Sequence, residues 1–459
     1  MSGRLDQTRL AHRIADFVTA LRWEALPDAV RATALDAFRD WLGNAAAGAA
    51  TPFGRSVHAV AKTIGSTGNA LLIGSREGAD PLTAALVNGG SAHALEFDDS
   101  HKQTLYHPGV PAIASALAAA QLADAGGAAL LTGMVAGYEV GIRVACALGP
   151  GHYRFWHTTG TAGCFAAAAA AARVLDLTAA QTAAAFGLAG TQAAGLWEVL
   201  PDAPAAKNLH PGRAAQSGLL AALLAREGVE GPTSILEGSR GVFAAMAPEG
   251  ADAGACTDGL GARWRIREIT FKAYPICGHS MTPVEAALQI REGLGTAEVR
   301  KVLVHSNAIS IRVAGDPDPQ DGYAAKFSIP YCVAVALLKG RVTQAEFEPA
   351  VLENRGVRDL MRRVELVADP EYDKIAKTIR PARIEALLGD GRTVEAVSET
   401  RRGDPEQPMS SDEMRAKFRA LAALAWGEER ARRVDDGMPT LPESPTVNRW
   451  MRRYLLAEE

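Results

Sequence analysis

The sequence has no excess of positive charge: Lys plus Arg number 48 against 52 for Asp plus Glu, a formal net charge of -4. A surface with that balance offers no basic stripe to a phosphate backbone, so nucleic acid is not an expected partner. Cysteine is scarce. The five present in 459 residues, Cys146, Cys164, Cys256, Cys277 and Cys332, are odd in number, widely spaced and set among apolar or small residues. That is no disulfide framework, and it fits a reducing cytoplasm. An apolar signal core is missing at the start, where 1–22 reads as an amphipathic helix carrying Asp6, Arg9, Arg13 and Asp16, so export is not expected.

A long charge-free hydrophobic run is lacking too. The most apolar stretch, 128–148, contains Glu139 and Arg143, four residues apart and placed to pair on one helix face. An unshielded charge at mid-membrane costs about 3 kcal/mol, so this segment is expected to be a buried bundle helix and no membrane partner is expected. Glycine-rich 187–195 lacks the lysine and serine of a phosphate loop, and no strand-then-glycine fingerprint for a dinucleotide is present. Neither a metal nor an organic cofactor is expected.

What is present is enough apolar material for a large interior, 48% of 459 residues, which implies two domains. Up to about residue 265 the chain is dominated by alanine-rich helical segments with identifiable ends. Asp80-Pro81 caps a helix running towards Leu95, Pro108 opens the next, Thr178 to Gln181 is a capping box, and Pro211 opens a helix that stops at Gly228. Small side chains in 165–172 suit close-packed helix axes. Beyond about 266 short β-prone runs appear at 302–305, 309–313 and 384–388, with an Asp390-Gly391 hairpin turn. Helix signals return at the Ser410/Glu413 capping box and continue through 414–426 and 447–456. The pattern is mainly α: a large all-helical domain built from both chain ends, 1–266 and 405–459, with a smaller inserted α+β domain at 267–404. A cleft between two such domains is a usual place for a small-molecule site.

Three histidines, His107, His157 and His210, stand just before inferred helix starts, where free N–H groups and aligned dipoles favour anions. Lys207 and Arg213 flank His210, and Lys272, Tyr274, Cys277 and His279 fall within eight residues. The run Asp98-Asp99-Ser100-His101 offers groups that hold a hydroxyl-bearing substrate, orient a histidine or, with His93 and His107, ligate a metal, although the spacing matches no zinc or calcium loop. The bland readings are a capped surface turn for the aspartates, a solvated first-turn residue for Arg213 and a buried inert thiol for Cys277.

Read together, these segments resemble the MmgE/PrpD family, which holds 2-methylcitrate dehydratases, cis-aconitate decarboxylases and iminodisuccinate epimerases. The resemblance rests on Ala92-His93-Ala94-Leu95-Glu96-Phe97-Asp98-Asp99-Ser100-His101, His107-Pro108, His157-Thr158-Thr159-Gly160-Thr161-Ala162-Gly163, Lys207-Asn208-Leu209-His210-Pro211-Gly212-Arg213-Ala214-Ala215, Phe271-Lys272-Ala273-Tyr274-Pro275 with Cys277 and Gly278, and Ala325-Lys326-Phe327-Ser328-Ile329-Pro330-Tyr331. It implies a large all-α domain with a smaller α+β lid, a homodimer, and a pocket at Glu96, Ser100, His107, His157, Lys207, Lys272 and Tyr331. Glu96 stands where relatives often have aspartate, Cys277 where the animal decarboxylases have histidine, and Met281 where many relatives have a further histidine.

The expected activity is a cofactor-independent lyase, 2-methylcitrate dehydratase-like, moving protons at carbon next to a carboxylate of a small di- or tricarboxylic acid. Decarboxylation of cis-aconitate and epimerisation of iminodisuccinate are the alternatives, and a non-catalytic carboxylate binder or a metal-dependent hydrolase are more distant ones. His157, Lys207, Lys272, His107 and Tyr331 are the expected catalytic residues. Glu96, Asp98, Asp99, Ser100, His101, His210, Arg213, Cys277 and His279 are the expected substrate-binding residues, with no metal ligands. Acid and base roles between the lysines and the histidines are left open.

Overall fold

The computed structural model describes residues 9–199, 203–247, 249–295, 297–376 and 379–456. The chain is mainly helical and divides into two compact units, Met1–Ile269 with Ser410–Glu459, and Thr270–Met409.

The first unit is a helical bundle. Its longer elements are α1 Leu10–Ala20, α2 Asp28–Ala49, α3 Pro52–Thr63, α4 Pro81–His93, α5 Gly109–Leu122, α6 Gly127–His152, α7 Thr158–Val174, α8 Ala179–Gly190 and α9 Leu209–Arg226. Local chemistry sets their ends. Asp80 accepts from the N–H groups of Leu82 and Thr83 at 2.9 and 3.0 Å, and Thr178 and Gln181 cap each other. At the end of α9, Gly228 adopts φ +91, and Val229 N–H closes back on Leu224 at 3.0 Å. Alanine-rich α7 is buried almost throughout between α5, α6 and α9, as its small side chains require for close axes.

Helix α6 is long and apolar enough to cross a membrane, and 89% of its apolar window is buried inside the protein. Its Glu139 and Arg143 pair at 2.5 Å, and Glu139 also accepts from Ile266 N–H at 2.9 Å, so the buried carboxylate is satisfied twice.

The second unit holds α10 Met281–Leu294, α11 Ala308–Ala314 and α12 Ile329–Lys339 with a mixed sheet of β1 Val299–Ser306, β2 Val364–Ala368, β3 Ala382–Leu388 and β4 Thr393–Ser398. The strand order is β2-β1-β3-β4, with β1 and β2 parallel and the other pairs antiparallel; Val304 faces Ile384 and Val302 faces both Val364 and Ala386. The β3–β4 hairpin turns at Asp390-Gly391, with Gly391 at φ +88. Alternate residues of β3 are buried, and Ile384, Ala386 and Leu388 join Val284, Ile290 and the face of α12 in one core.

One β-prone run is corrected: 309–313 lies in helix α11, because Asn307 caps it by accepting from Ser310 N–H at 2.8 Å. The tertiary setting overrides the β-branched preference there.

The chain then returns to the first unit as α13 Ser411–Trp426 and α14 Glu428–Gly437, α13 opening on the Ser410/Glu413 capping box. From α13, buried Lys417 reaches Asp40 of α2 at 2.6 Å and the carbonyl of Phe97 at 2.8 Å, lying 3.8 Å over the Phe97 ring. A helix from the far end of the chain therefore props the loop that carries the candidate site.

Candidate active site

The site is built on the loop 94–108 and on the starts of α7 and α9, all within the first unit. Helix α4 ends in His93, and the chain turns sharply at Glu96, whose φ of +54 is a left-handed conformation that costs a non-glycine residue about 1 kcal/mol or more. The turn aims Glu96 at Lys207, and the two form a buried ion pair. Buried charges persist only when paired, so each is the other's condition for being inside.

Asp98 is the hub of the loop. One of its oxygens, Oδ2, lies 2.9 Å from His93 Nδ1 and 3.0 Å from His107 Nδ1, and all three residues are buried. A carboxylate only accepts, so both imidazoles carry hydrogen on Nδ1; the Asp99 carbonyl, 3.0 Å from His107 Nδ1, reinforces that assignment. Burial raises the Asp98 carboxyl pKa, but His93 and His107 outweigh it and hold the group well below the usual carboxylate range.

Asp99 points the other way and has a different task. It accepts from Gly109 N–H at the start of α5 at 3.0 Å and from the Tyr138 hydroxyl at 2.5 Å. Burial, with Asp40 and Asp98 adding to it, pushes its pKa up to about 8 against these donors. Gly109 is needed here, since a Cβ would stand 2.4 Å from the Tyr138 oxygen and 2.7 Å from Asp99 Oδ1.

His157 stands at the residue before α7, its own N–H donating to Gly195 O at 2.8 Å, and its Nδ1 lies 3.1 Å from His210 Nδ1. The ring is fully buried, and its Nε2 has no hydrogen-bond partner among the described residues. Desolvation first, then Lys207 and the neighbouring imidazoles, drive the His157 pKa well down, and His210 falls to about 4 by burial, His93 and Lys207. Both rings are therefore neutral near pH 7.

The centre is the meeting of three rings. One nitrogen from each of His93, His107 and His157 lies within 4.8 Å of the others, with ring centroids 4.6, 5.8 and 6.3 Å apart. Thr159 from the first turn of α7 accepts from His107 N–H at 3.2 Å and ties the loop to that helix. His93, Tyr138 and Thr159 are absent from the expected site residues. For His93 the sequence did carry a signal, a histidine five residues before Asp98 at a helix end.

Several expected residues are placed elsewhere. His101 turns away, its Nδ1 2.8 Å from Thr104 and its Nε2 3.8 Å from Glu268, and pins a tight turn instead of reaching the ring cluster. Arg213 is exposed and bonds to Gln216 at 2.6 Å, so the solvated first-turn reading describes it. His210 lies inside the first turn of α9, which begins at Leu209 and not at Pro211, and it is half-buried beside His157. Ser100 is buried in the loop.

The remaining expected residues belong to the second unit. Lys272 is buried, and Cys277 is buried with its N–H donating to Lys326 O at 3.0 Å. His279 Nδ1 lies 2.9 Å from Ser310 Oγ, and burial with Arg380, Arg401 and Arg312 nearby keeps the ring neutral. Tyr331 packs in the core of that unit, and its hydroxyl donates to Glu346 O at 2.6 Å.

The comparisons with known proteins agree on kinship. The MmgE/PrpD N-terminal domain matches residues 12–252 and the MmgE/PrpD C-terminal domain matches 274–437. The chain belongs to the MmgE/PrpD family. It is 28% identical to the cis-aconitate decarboxylase-like protein oryM of Aspergillus oryzae, over 95% of both chains. It is 28% identical to the cis-aconitate decarboxylase of Aspergillus terreus over 92% of this chain and 91% of that one. A 2-methylcitrate dehydratase of Salmonella typhimurium is 27% identical over 40% of this chain and 35% of its own. Within the family frame, the ring cluster sits on three of the motifs that carry the resemblance, 92–101, 107–108 and 157–163.

Proposed function

We propose that this MmgE/PrpD protein is a lyase or isomerase that moves a proton at carbon next to a carboxylate of a small di- or tricarboxylic acid, without a cofactor. The observation that carries this reading is the convergence of three buried imidazoles on the Lys207–Glu96 pair, proton carriers and a cation in one water-poor place. Dehydration, decarboxylation and epimerisation of such acids share one hard step, in which carbanion-like charge forms beside a carboxylate.

Lys207 meets that charge. A substrate carboxylate takes up part of the lysine's pairing with Glu96, and a preorganised cation in a desolvated site stabilises an enolate-like transition state strongly. Lys272 is the second carboxylate-binding cation in this proposal. His157, neutral through burial, accepts the proton from the substrate carbon, and the arriving anion raises its basicity. In dehydration or epimerisation His107, oriented by Asp98 and protonated on Nε2 as well, returns a proton to the leaving hydroxyl or the carbon. In decarboxylation no carbon proton is removed, and His107 gives its proton to the carbon that loses carbon dioxide. Tyr331 receives no proton role, because its hydroxyl is bound to Glu346.

The resemblance supports the second unit as a lid and a homodimeric assembly, and the five widely spaced cysteines support a cytoplasmic setting. The test of function is a panel of methylcitrate, citrate, cis-aconitate and iminodisuccinate incubated with the pure protein and followed by proton NMR. Conversion of one of them, lost in Lys272→Ala, supports the proposal. No change in any of the four, or wild-type turnover by Lys272→Ala and His157→Ala alike, overturns it.

A further inference from the structure

We propose that His93, His107 and His157 form a binding site for a divalent transition-metal ion, zinc foremost, and that occupancy switches the site off. Three imidazole nitrogens already lie within 4.8 Å of one another. Zinc holds imidazole at about 2.0–2.1 Å, which sets tetrahedral neighbours roughly 3.4 Å apart, so small ring movements of about an ångström close the set.

The surroundings match what metal-bound histidines need. Such rings donate their other N–H to a carboxylate or carbonyl, which fixes the tautomer and aims the free nitrogen at the metal. Asp98 Oδ2 is that carboxylate acceptor for the Nδ1 atoms of His93 and His107 together, at 2.9 and 3.0 Å. His157 is held through Nδ1 by His210 at 3.1 Å. The Nε2 atoms of His93 and His157 are buried and lack a hydrogen-bond partner among the described residues, and a buried polar atom without one is costly until a ligand arrives. Glu96 Oε1, 3.6 Å from His93 Nε2, is the adjacent acidic group, and with Asp98 it offsets the nearby Lys207 charge. Three imidazoles favour zinc, cobalt, nickel and copper over magnesium or calcium, whose hard ions take oxygen ligands.

This set is not the one the sequence offered. His101 faces Thr104 and Asp99 is committed to Gly109 and Tyr138, whereas His157 comes from the start of a helix, 50 residues beyond His107.

Occupancy ties up the ring nitrogens that the proposed reaction uses, so the switch rests on that functional reading, whereas the binding does not. The test separates the two. Chelator-treated full-length protein is titrated with cobalt, whose visible absorption is intense only in tetrahedral or five-coordinate sites, and then with zinc as competitor. The expected result is one ion per chain, displaced by zinc. In Asp98→Asn, which keeps all three rings, binding weakens roughly tenfold to a hundredfold. His93→Gln abolishes the cobalt spectrum, and circular dichroism confirms that each variant is folded. Absence of the spectrum in wild type, or its retention unchanged in folded His93→Gln, overturns the site. Tight binding with undiminished turnover of an accepted substrate overturns the switch alone.

Discussion

His93 and His107 are held by a single oxygen: the Nδ1 atoms of both rings lie 2.9 and 3.0 Å from Oδ2 of Asp98. One carboxylate thereby fixes the tautomer and the aim of two of the three clustered imidazoles. Asp98→Asn offers an amide where two donors need an acceptor, so turnover should fall by about a hundredfold. The loss should appear in kcat more than in KM if Asp98 acts through the two rings it orients. Steady-state kinetics of the variant, with its circular dichroism unchanged, check this.

The pairing of Lys207 with Glu96 gives a prediction in two parts. Lys207→Met strands a buried carboxylate in a turn that already holds φ +54, and should cost about 3–5 kcal/mol of stability. Adding Glu96→Gln should restore much of that stability and none of the activity, since the cation for the substrate is still missing. Denaturant melts beside turnover assays separate the structural from the chemical role of Lys207.

Asp99 sets a stability change at high pH. Its pKa is raised from 3.8 to about 8, so the folded state binds a proton that the unfolded chain has released. The contribution is complete below the unfolded value and disappears as pH climbs through the folded one, so stability should decline from about pH 4 to about pH 8. Asp99→Asn, uncharged throughout, should flatten that part of the profile. Melting temperatures from about pH 5 to about pH 9 measure it.

His210 acts at the opposite end. With its pKa lowered from 6.5 to about 4, its contribution is intact above the unfolded value and vanishes as pH falls through the folded one, and buried His157 shifts in the same direction. Acid unfolding should therefore set in below about pH 6.5, and His210→Gln should move its onset to lower pH.

The ends of helices were readable because caps are local: Thr178 and Gln181, or Ser410 and Glu413, meet across one turn whatever the rest of the chain does. The segment 309–313 was not, because its β-branched residues are outweighed by the Asn307 cap and by neighbours distant in sequence. Pro211 misled by two residues, since a proline fits the first turn as well as its first position.

At the site, His107, His157, Glu96, Asp98 and Lys207 were legible as motif residues, and the fold brings all five together. His93 was weighed only as a metal ligand beside Asp98 and His107, because spacing alone does not show that its Nδ1 and that of His107 share one oxygen of Asp98. Arg213 and His101 looked equivalent to their neighbours in sequence, yet one side chain faces water and the other a local turn. Side-chain direction depends on packing, which no spacing rule contains.

The most direct measurement is wash-in of solvent deuterium at the substrate carbon beside a carboxylate, followed by NMR for wild type and for His157→Gln. Rapid exchange in wild type that drops by about a hundredfold or more in the folded variant is the expected result. Equal exchange in both proteins would contradict His157 as the carrier of that proton.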